Sequence, residues 1–202
     1  LQQLSALVKG TNLLLLSDEV YEHIVFDGKP HLSLISVPEL RQRSFIVSSF
    51  GKTYHTTGWK IGYCIAPEPL MVEFRKVHQY LTFSTSTPMQ LALADYITAE
   101  PSHYQQLPVF YQHKRDRFNQ LMESSRFTFT PARGTYFQLM DYSQISDLDD
   151  LSFCRWLTEE VGVAAIPISV FCQQPLNAKL VRFCFAKNEQ TLAEAAQRLC
   201  RI

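Results

Sequence analysis

The chain has 202 residues, 46% of them hydrophobic and 12% aromatic, a composition that supports a buried globular core and excludes disordered and collagen-like classes. Nineteen Lys plus Arg balance nineteen Asp plus Glu, so the chain offers no electrostatic footprint for nucleic acid or an anionic membrane surface. Cys64, Cys154, Cys172, Cys184 and Cys200 are odd in number, widely spaced and free of any C-x-x-C pair, which suits reduced thiols in a cytoplasmic protein better than disulfides or a zinc site.

The first residues already carry a helical pattern (Leu1, Leu4, Leu7, Val8) and no initiator Met precedes them, as expected of a piece of a longer chain. No apolar run exceeds the four residues of 13–16, far below the roughly 20 residues of a membrane helix. The run reads instead as a buried parallel strand ending at Ser17 and Asp18. Residues 45–49 and 61–66 read as two further strands of this kind, joined by a hydroxyl- and glycine-rich loop over 50–58. Helical spacing follows over 68–81 and 88–99, the second with Pro88 in its first turn. A long amphipathic helix is predicted over 102–123, with His113, Arg115, Asp116 and Arg117 on its wet face. Beyond it come strands at 127–130 and 135–141, a helix at 150–161, strands at 164–169 and 180–185, and a last helix capped by Asn188. Alternating strands and helices define an α/β class, with a domain boundary near residue 100.

Chemistry gathers in four places. Asp18 and Tyr21 stand at the end of the first strand, where α/β folds present side chains to ligands; an ordinary solvated strand end explains Asp18 as well. Ser49 and Lys52 follow the second strand, and Lys60 comes eight residues after Lys52. A lysine in a confined site near other cations has a depressed amine pKa and can form a Schiff base, while a hydroxyl and a second lysine can hold a phosphate. Either lysine taken alone reads better as an ordinary surface residue of a polar loop. Arg182 interrupts an apolar strand, either as an outward-facing residue or as a buried fork whose two parallel donors match a carboxylate.

In this order the four segments resemble the fold type I pyridoxal-phosphate aminotransferases of class I/II, in the branch that includes kynurenine and methionine aminotransferases. Ser49-x-x-Lys52 with Gly58-Trp59-Lys60-x-Gly62 is similar to the family's cofactor-lysine motif, and Asp18-Glu19-Val20-Tyr21 to its pyridine-binding strand end. The resemblance runs along the whole chain but covers only about the C-terminal half of a family member. It implies that residues 1–100 are the later part of a large cofactor domain, with a mainly parallel sheet flanked by helices. Residues 101–202 are then a linking helix and a smaller α/β C-terminal domain. It also implies pyridoxal 5'-phosphate as cofactor, an amino acid and a 2-oxo acid as substrates, a homodimer, and a cytoplasmic enzyme.

By the same resemblance, Lys52 carries the cofactor covalently and moves the substrate α-proton, Asp18 pairs with the pyridine nitrogen, and Tyr21 donates to the ring oxygen. Ser49 and Lys60 bind the phosphate and Arg182 the substrate carboxylate. Many class I relatives have Arg where this chain has Lys60, which exchanges a fork for a point charge. The preferred substrate implied is aromatic or sulfur-containing, such as methionine. The family's phosphate loop and ring-stacking aromatic have no counterpart in these residues, so residues 1–202 alone are expected to bind the cofactor weakly and to lack activity.

Three alternatives stay open at this point. A pyridoxal-phosphate-dependent C–S β-lyase would use the same residues, and a non-catalytic relative would keep the fold as a binding module. Asp18, Glu19, Glu22 and His23 could be imagined as a hard-metal cluster, although neighbouring side chains on a chain point in different directions.

Overall fold

The computed structural model describes residues 1–174 and 178–202. The chain packs as two units, Leu1–Val25 with Lys29–Leu107, and Phe26–Gly28 with Pro108–Ile202.

The first unit opens with helix α1 (Gln2–Val8). Strand β1 (Leu15–Asp18) follows, then a short helix α2 (Pro38–Arg41) and strand β2 (Ser44–Ser49). One helical turn, α3 (Phe50–Thr53), leads through a 3-10 turn at Thr57–Trp59 to strand β3 (Gly62–Ile65). Helices α4 (Glu68–Leu81) and α5 (Thr87–Ala99) complete the unit, together with the start of α6 (His103–Met122).

The three strands form one sheet in the order β1-β2-β3. Strands β1 and β2 run parallel, whereas β3 pairs antiparallel to β2. The sequence reading had all three as parallel strands. A parallel return needs a crossover of a dozen or more residues, usually a helix; residues 50–61 hold only α3 and a 3-10 turn, which fold the chain straight back. Strand β1 is also displaced two residues from the predicted 13–16. Leu13, Leu14 and Leu16 are more than half exposed, so this run is an outer strand and not a fully buried one.

The side of β2 that carries Ser44, Ile46 and Ser48 is buried. Against it pack Val8 of α1, Leu34 and Leu40, joined at the margin by Leu1, Leu4, Leu15 and Val37. Arg43 ties this region together through one guanidinium nitrogen, which donates to the carbonyls of Val8 (3.1 Å), Thr11 (2.9 Å) and Leu13 (3.2 Å).

The second unit holds the rest of α6, strand β4 (Phe137–Asp141), helix α7 (Asp150–Trp156) continued by a π-helical turn over Leu157–Val161, strands β5 (Ile166–Pro167) and β6 (Leu180–Cys184), and helix α8 (Glu189–Leu199). Its sheet is antiparallel, in the order β4-β6-β5. The strand predicted at 127–130 is reduced to a single bridge between Thr128 and Asp141. Asn188 caps α8 as expected, its side chain accepting from the Thr191 amide at 2.8 Å. Arg115 leaves the wet face assigned to it. It is only 4% exposed, and its guanidinium forks onto Asp27 at 2.7 and 2.8 Å and donates to the Ala132 carbonyl. Burial of an arginine is tolerated because the carboxylate and carbonyl replace water at its donors.

The core of this unit is aromatic. Tyr142 and Phe153 stack face to face at 3.9 Å, with Phe127 and Phe183 packed around them. Burial pushes the Tyr142 phenol up to about 12, with the neighbouring carboxylates of Asp150 and Asp149 adding to the shift. Among the described residues no helix is long and apolar enough to cross a membrane.

Candidate active site

The register of the first sheet decides what meets at its edge. Parallel pairing brings the C-terminal ends of β1 and β2 to the same side of the sheet, and Asp18, the last residue of β1, stands opposite Val47. Ser49 lies two residues further along β2 and pairs with Gly62, the first residue of β3. Side chains alternate along a strand, so Asp18, Val47, Ser49 and Gly62 share one face of the sheet. Lys52 sits in α3, directly beyond Ser49, and Lys60 two residues before Gly62. Five of the predicted residues, Asp18, Tyr21, Ser49, Lys52 and Lys60, therefore lie at or just beyond strand ends on one side of the first sheet.

Local structure explains each position. Asp18 Oδ1 accepts from the Val20 amide at 3.1 Å and starts a tight turn. Within that turn the Glu22 amide donates to the Glu19 carbonyl and the Ile24 amide to the Tyr21 carbonyl, which carries Tyr21 away from the strand direction. Ser49 caps α3, its hydroxyl accepting from the Gly51 amide at 3.1 Å. A side chain at Gly51 would place its Cβ 2.9 Å from Thr57 Cα, and one at Gly62 would lie 2.5 Å from the Ser48 carbonyl oxygen. Only glycine allows these backbones to approach so closely. His55 and Lys60 both adopt left-handed backbone conformations, with φ of 57° and 56°, so the loop turns sharply on either side of Gly58.

The sheet's other face carries residues to which the sequence analysis gave no role in the cofactor site. Leu15, Ser17 and Glu19 alternate inward, and Glu19 is 6% exposed. Its carboxylate accepts from Ser17 Oγ (3.0 Å), the Leu34 amide (3.1 Å) and the His31 ring (2.9 Å). Burial alone would raise its pKa, but the hydrogen bonds from His31, Ser33, Leu34 and Ser17 outweigh it and hold the carboxyl below its usual value. Ser48 and Tyr63, neighbours across β2 and β3, both donate to the Glu22 carboxylate. Burial first, and then Glu22, pushes the Tyr63 phenol up to about 12. Period-two spacing from Leu15 could have placed Glu19 on the inner face. Nothing local to the sequence indicates His31 or Tyr63 as the partners.

Arg182 lies in the second unit, on the face of β6 opposite the buried Val181 and Phe183. Its guanidinium rests 4.1 Å from the Phe137 ring centre and 5.1 Å from that of Phe171. Its Nε is buried and has no hydrogen-bond partner among the described residues. The strand is thus neither plainly solvated nor internally paired at this position.

A pyridine ring bearing a phosphate suits the groups at the first sheet's edge. Residues 49–62 contain no carboxylate; they offer the Ser49 hydroxyl, the Lys52 and Lys60 amines, and a buried Thr56 hydroxyl that has no hydrogen-bond partner among the described residues. Across the edge stands the carboxylate of Asp18. Hydroxyls and amines at one strand end and a carboxylate at its neighbour would suit a ligand with a phosphate at one end and a cationic nitrogen at the other. Among the described residues no group of three or more His, Cys, Asp or Glu is placed to hold a metal ion together.

The chain is similar to several known proteins over almost its whole length. The methionine aminotransferase of Escherichia coli K12 is 58% identical over 192 residues, covering 95% of this chain and 50% of its own length. Mouse kynurenine–oxoglutarate transaminase 1 is 33% identical over 221 residues, covering 99% of this chain and 52% of its own. Among solved structures, E. coli YbdL, reported to have a methionine aminotransferase function, superposes with a TM-score of 0.96 at 56% identity, across 100% of this chain and 53% of that one. N-Succinyldiaminopimelate aminotransferase from Mycobacterium tuberculosis gives a TM-score of 0.91 at 36% identity, across 98% of this chain and 52% of that one. The chain spans about half the length of the curated relatives it matches. The family model for aminotransferase class I and II matches residues 1–199, and with these relatives it establishes that the chain belongs to the class I and II aminotransferases.

Proposed function

We propose that this chain supplies the lysine-bearing part of a pyridoxal 5'-phosphate-dependent aminotransferase that exchanges the amino group of an amino acid, methionine or a similar side chain, with a 2-oxo acid. The observation that carries this reading is the convergence of Asp18, Ser49, Lys52 and Lys60 on one edge of the first sheet. The identity to a methionine aminotransferase favours a sulfur-containing donor. A cytoplasmic homodimer is the assembly proposed, in keeping with the family.

The cofactor, when bound, supplies an aldehyde for the substrate amine and a ring that accepts negative charge. Lys52 would hold it through its amine, and that amine would serve as the base and acid that moves the substrate α-proton. Asp18 keeps a proton on the ring nitrogen, because a carboxylate beside it stabilises the cation. Tyr21 donates its hydroxyl proton to the ring oxygen. Ser49 and Lys60 bind the phosphate, the lysine as a point charge. Arg182, with a donor to spare and its plane supported by two aromatic rings, takes the substrate carboxylate.

Borohydride reduction of the protein after incubation with pyridoxal phosphate, followed by peptide mapping, tests the core of this reading. The pyridoxyl group is expected on Lys52; finding it on Lys60 or elsewhere overturns the assignment. On a chain extended N-terminally to the length of the relatives, which should bind the cofactor tightly and turn over, product analysis with a cysteine conjugate then separates transamination, which keeps the C–S bond and gives the matching 2-oxo acid, from β-elimination, which releases a thiol, pyruvate and ammonia.

A further inference from the structure

Lys52 lies on a single helical turn, too short to hold its own geometry, since isolated helical turns are unstable in water. The three residues that follow it are each engaged by one distant side chain, His103 at the start of α6. Its Nε2 lies 2.9 Å from the Thr53 carbonyl, its ring stacks on Tyr54 at 5.2 Å and 20°, and the His55 ring meets it edge-on at 5.7 Å. Thr53 is 5% exposed and ends α3. Its carbonyl is one of those that a helix end leaves without an internal partner. A carbonyl only accepts, so Nε2 carries the proton, and it does so in either protonation state of the ring. The ring is oriented in turn by Tyr96 of α5, whose hydroxyl stands 3.1 Å from Nδ1. His55 is left-handed in backbone conformation, a strained arrangement that persists only where surroundings impose it.

From these contacts we infer that His103, oriented by Tyr96, is a positioning residue for Lys52: it clamps residues 53–55 and so sets the direction from which the Lys52 amine reaches the cofactor. The inference rests on the reading of Lys52 as the reactive amine.

The test compares His103→Leu, His103→Gln and Tyr96→Phe with the parent protein in two measurements. One is amide hydrogen exchange in the cofactor-free protein. The other is the rate at which pyridoxal phosphate becomes borohydride-trappable on Lys52. Losing this partly buried hydrogen bond should speed exchange and slow trapping by about tenfold in the Leu variant, with faster exchange confined to residues 50–57. Glutamine retains a donor and should stay within about threefold of the parent; Tyr96→Phe should fall between the two. An unchanged trapping rate on Lys52 in His103→Leu, faster exchange spread evenly over the chain, or a Gln variant as impaired as Leu sinks the positioning role and leaves the Lys52 reading intact. Label on another lysine in the parent protein sinks both.

Discussion

The two units of the chain hold their shape by different means. In the second unit large rings fill the interior: Tyr142, Phe153 and Phe185 are fully buried, and Arg182 itself is held between Phe137 and Phe171. In the first unit the segments around the candidate site are held by polar hubs, each one side chain tying distant parts of the unit together through hydrogen bonds. Glu19 gathers Ser17, Leu34 and His31, Glu22 gathers Ser48 and Tyr63, and His103 reaches Thr53. Apolar packing is non-directional and tolerates small displacements, whereas a hydrogen bond loses strength within a few tenths of an ångström. Groups that must present a lysine and a carboxylate at fixed angles gain from the second kind of support. A strand that has only to carry one stacked guanidinium is served by the first.

The largest expected departure follows from removing a ring. Phe153→Ala deletes the partner of Tyr142 and a neighbour of Phe127 in a fully buried position, and should cost about 3–5 kcal/mol in urea unfolding. A loss below about 1 kcal/mol would mean that the second unit does not depend on its aromatic core. Gly62→Ala attacks the first unit where backbones touch. With the new Cβ 2.5 Å from the Ser48 carbonyl, β2 and β3 must part at the end that carries Ser49. A cost of about 1–3 kcal/mol is expected, accompanied by weaker binding of pyridoxal phosphate measured by fluorescence titration. Unaltered stability together with unaltered cofactor binding would show that the close approach is not needed.

A smaller, pH-dependent effect isolates a polar hub. The Glu19 carboxyl is held below its ordinary value of 4.5 when folded. Its contribution is therefore complete above the unfolded pKa and disappears as the pH falls through the lower folded one. Glu19→Gln should cost about 1 kcal/mol at neutral pH, because an amide cannot accept from all three donors as a carboxylate does. The gap to the parent protein should close below pH 4.5. A gap that stays constant down to strongly acidic pH would assign the loss to shape and not to charge.

Local patterns in the sequence determined a good deal of this molecule. Helical spacing located α4 to the residue and α5 within one, because a stripe that recurs every 3.6 residues and a proline in the first turn are written in consecutive positions. The cap at Asn188 depends on residues three apart and was equally legible. Asp18, Ser49, Lys52 and Lys60 could be singled out by spacing and by resemblance to a family motif. Tertiary structure decided the rest. The antiparallel turn of β3, the exposure of Leu14 and Leu16, and the burial of Arg115 against Asp27 each depend on what the chain packs against, which spacing does not encode. The same holds for His103. The residue it holds lies 50 positions away in sequence, and only the folding of α3 against the start of α6 brings an imidazole donor to a carbonyl that a helix end would otherwise leave unpaired.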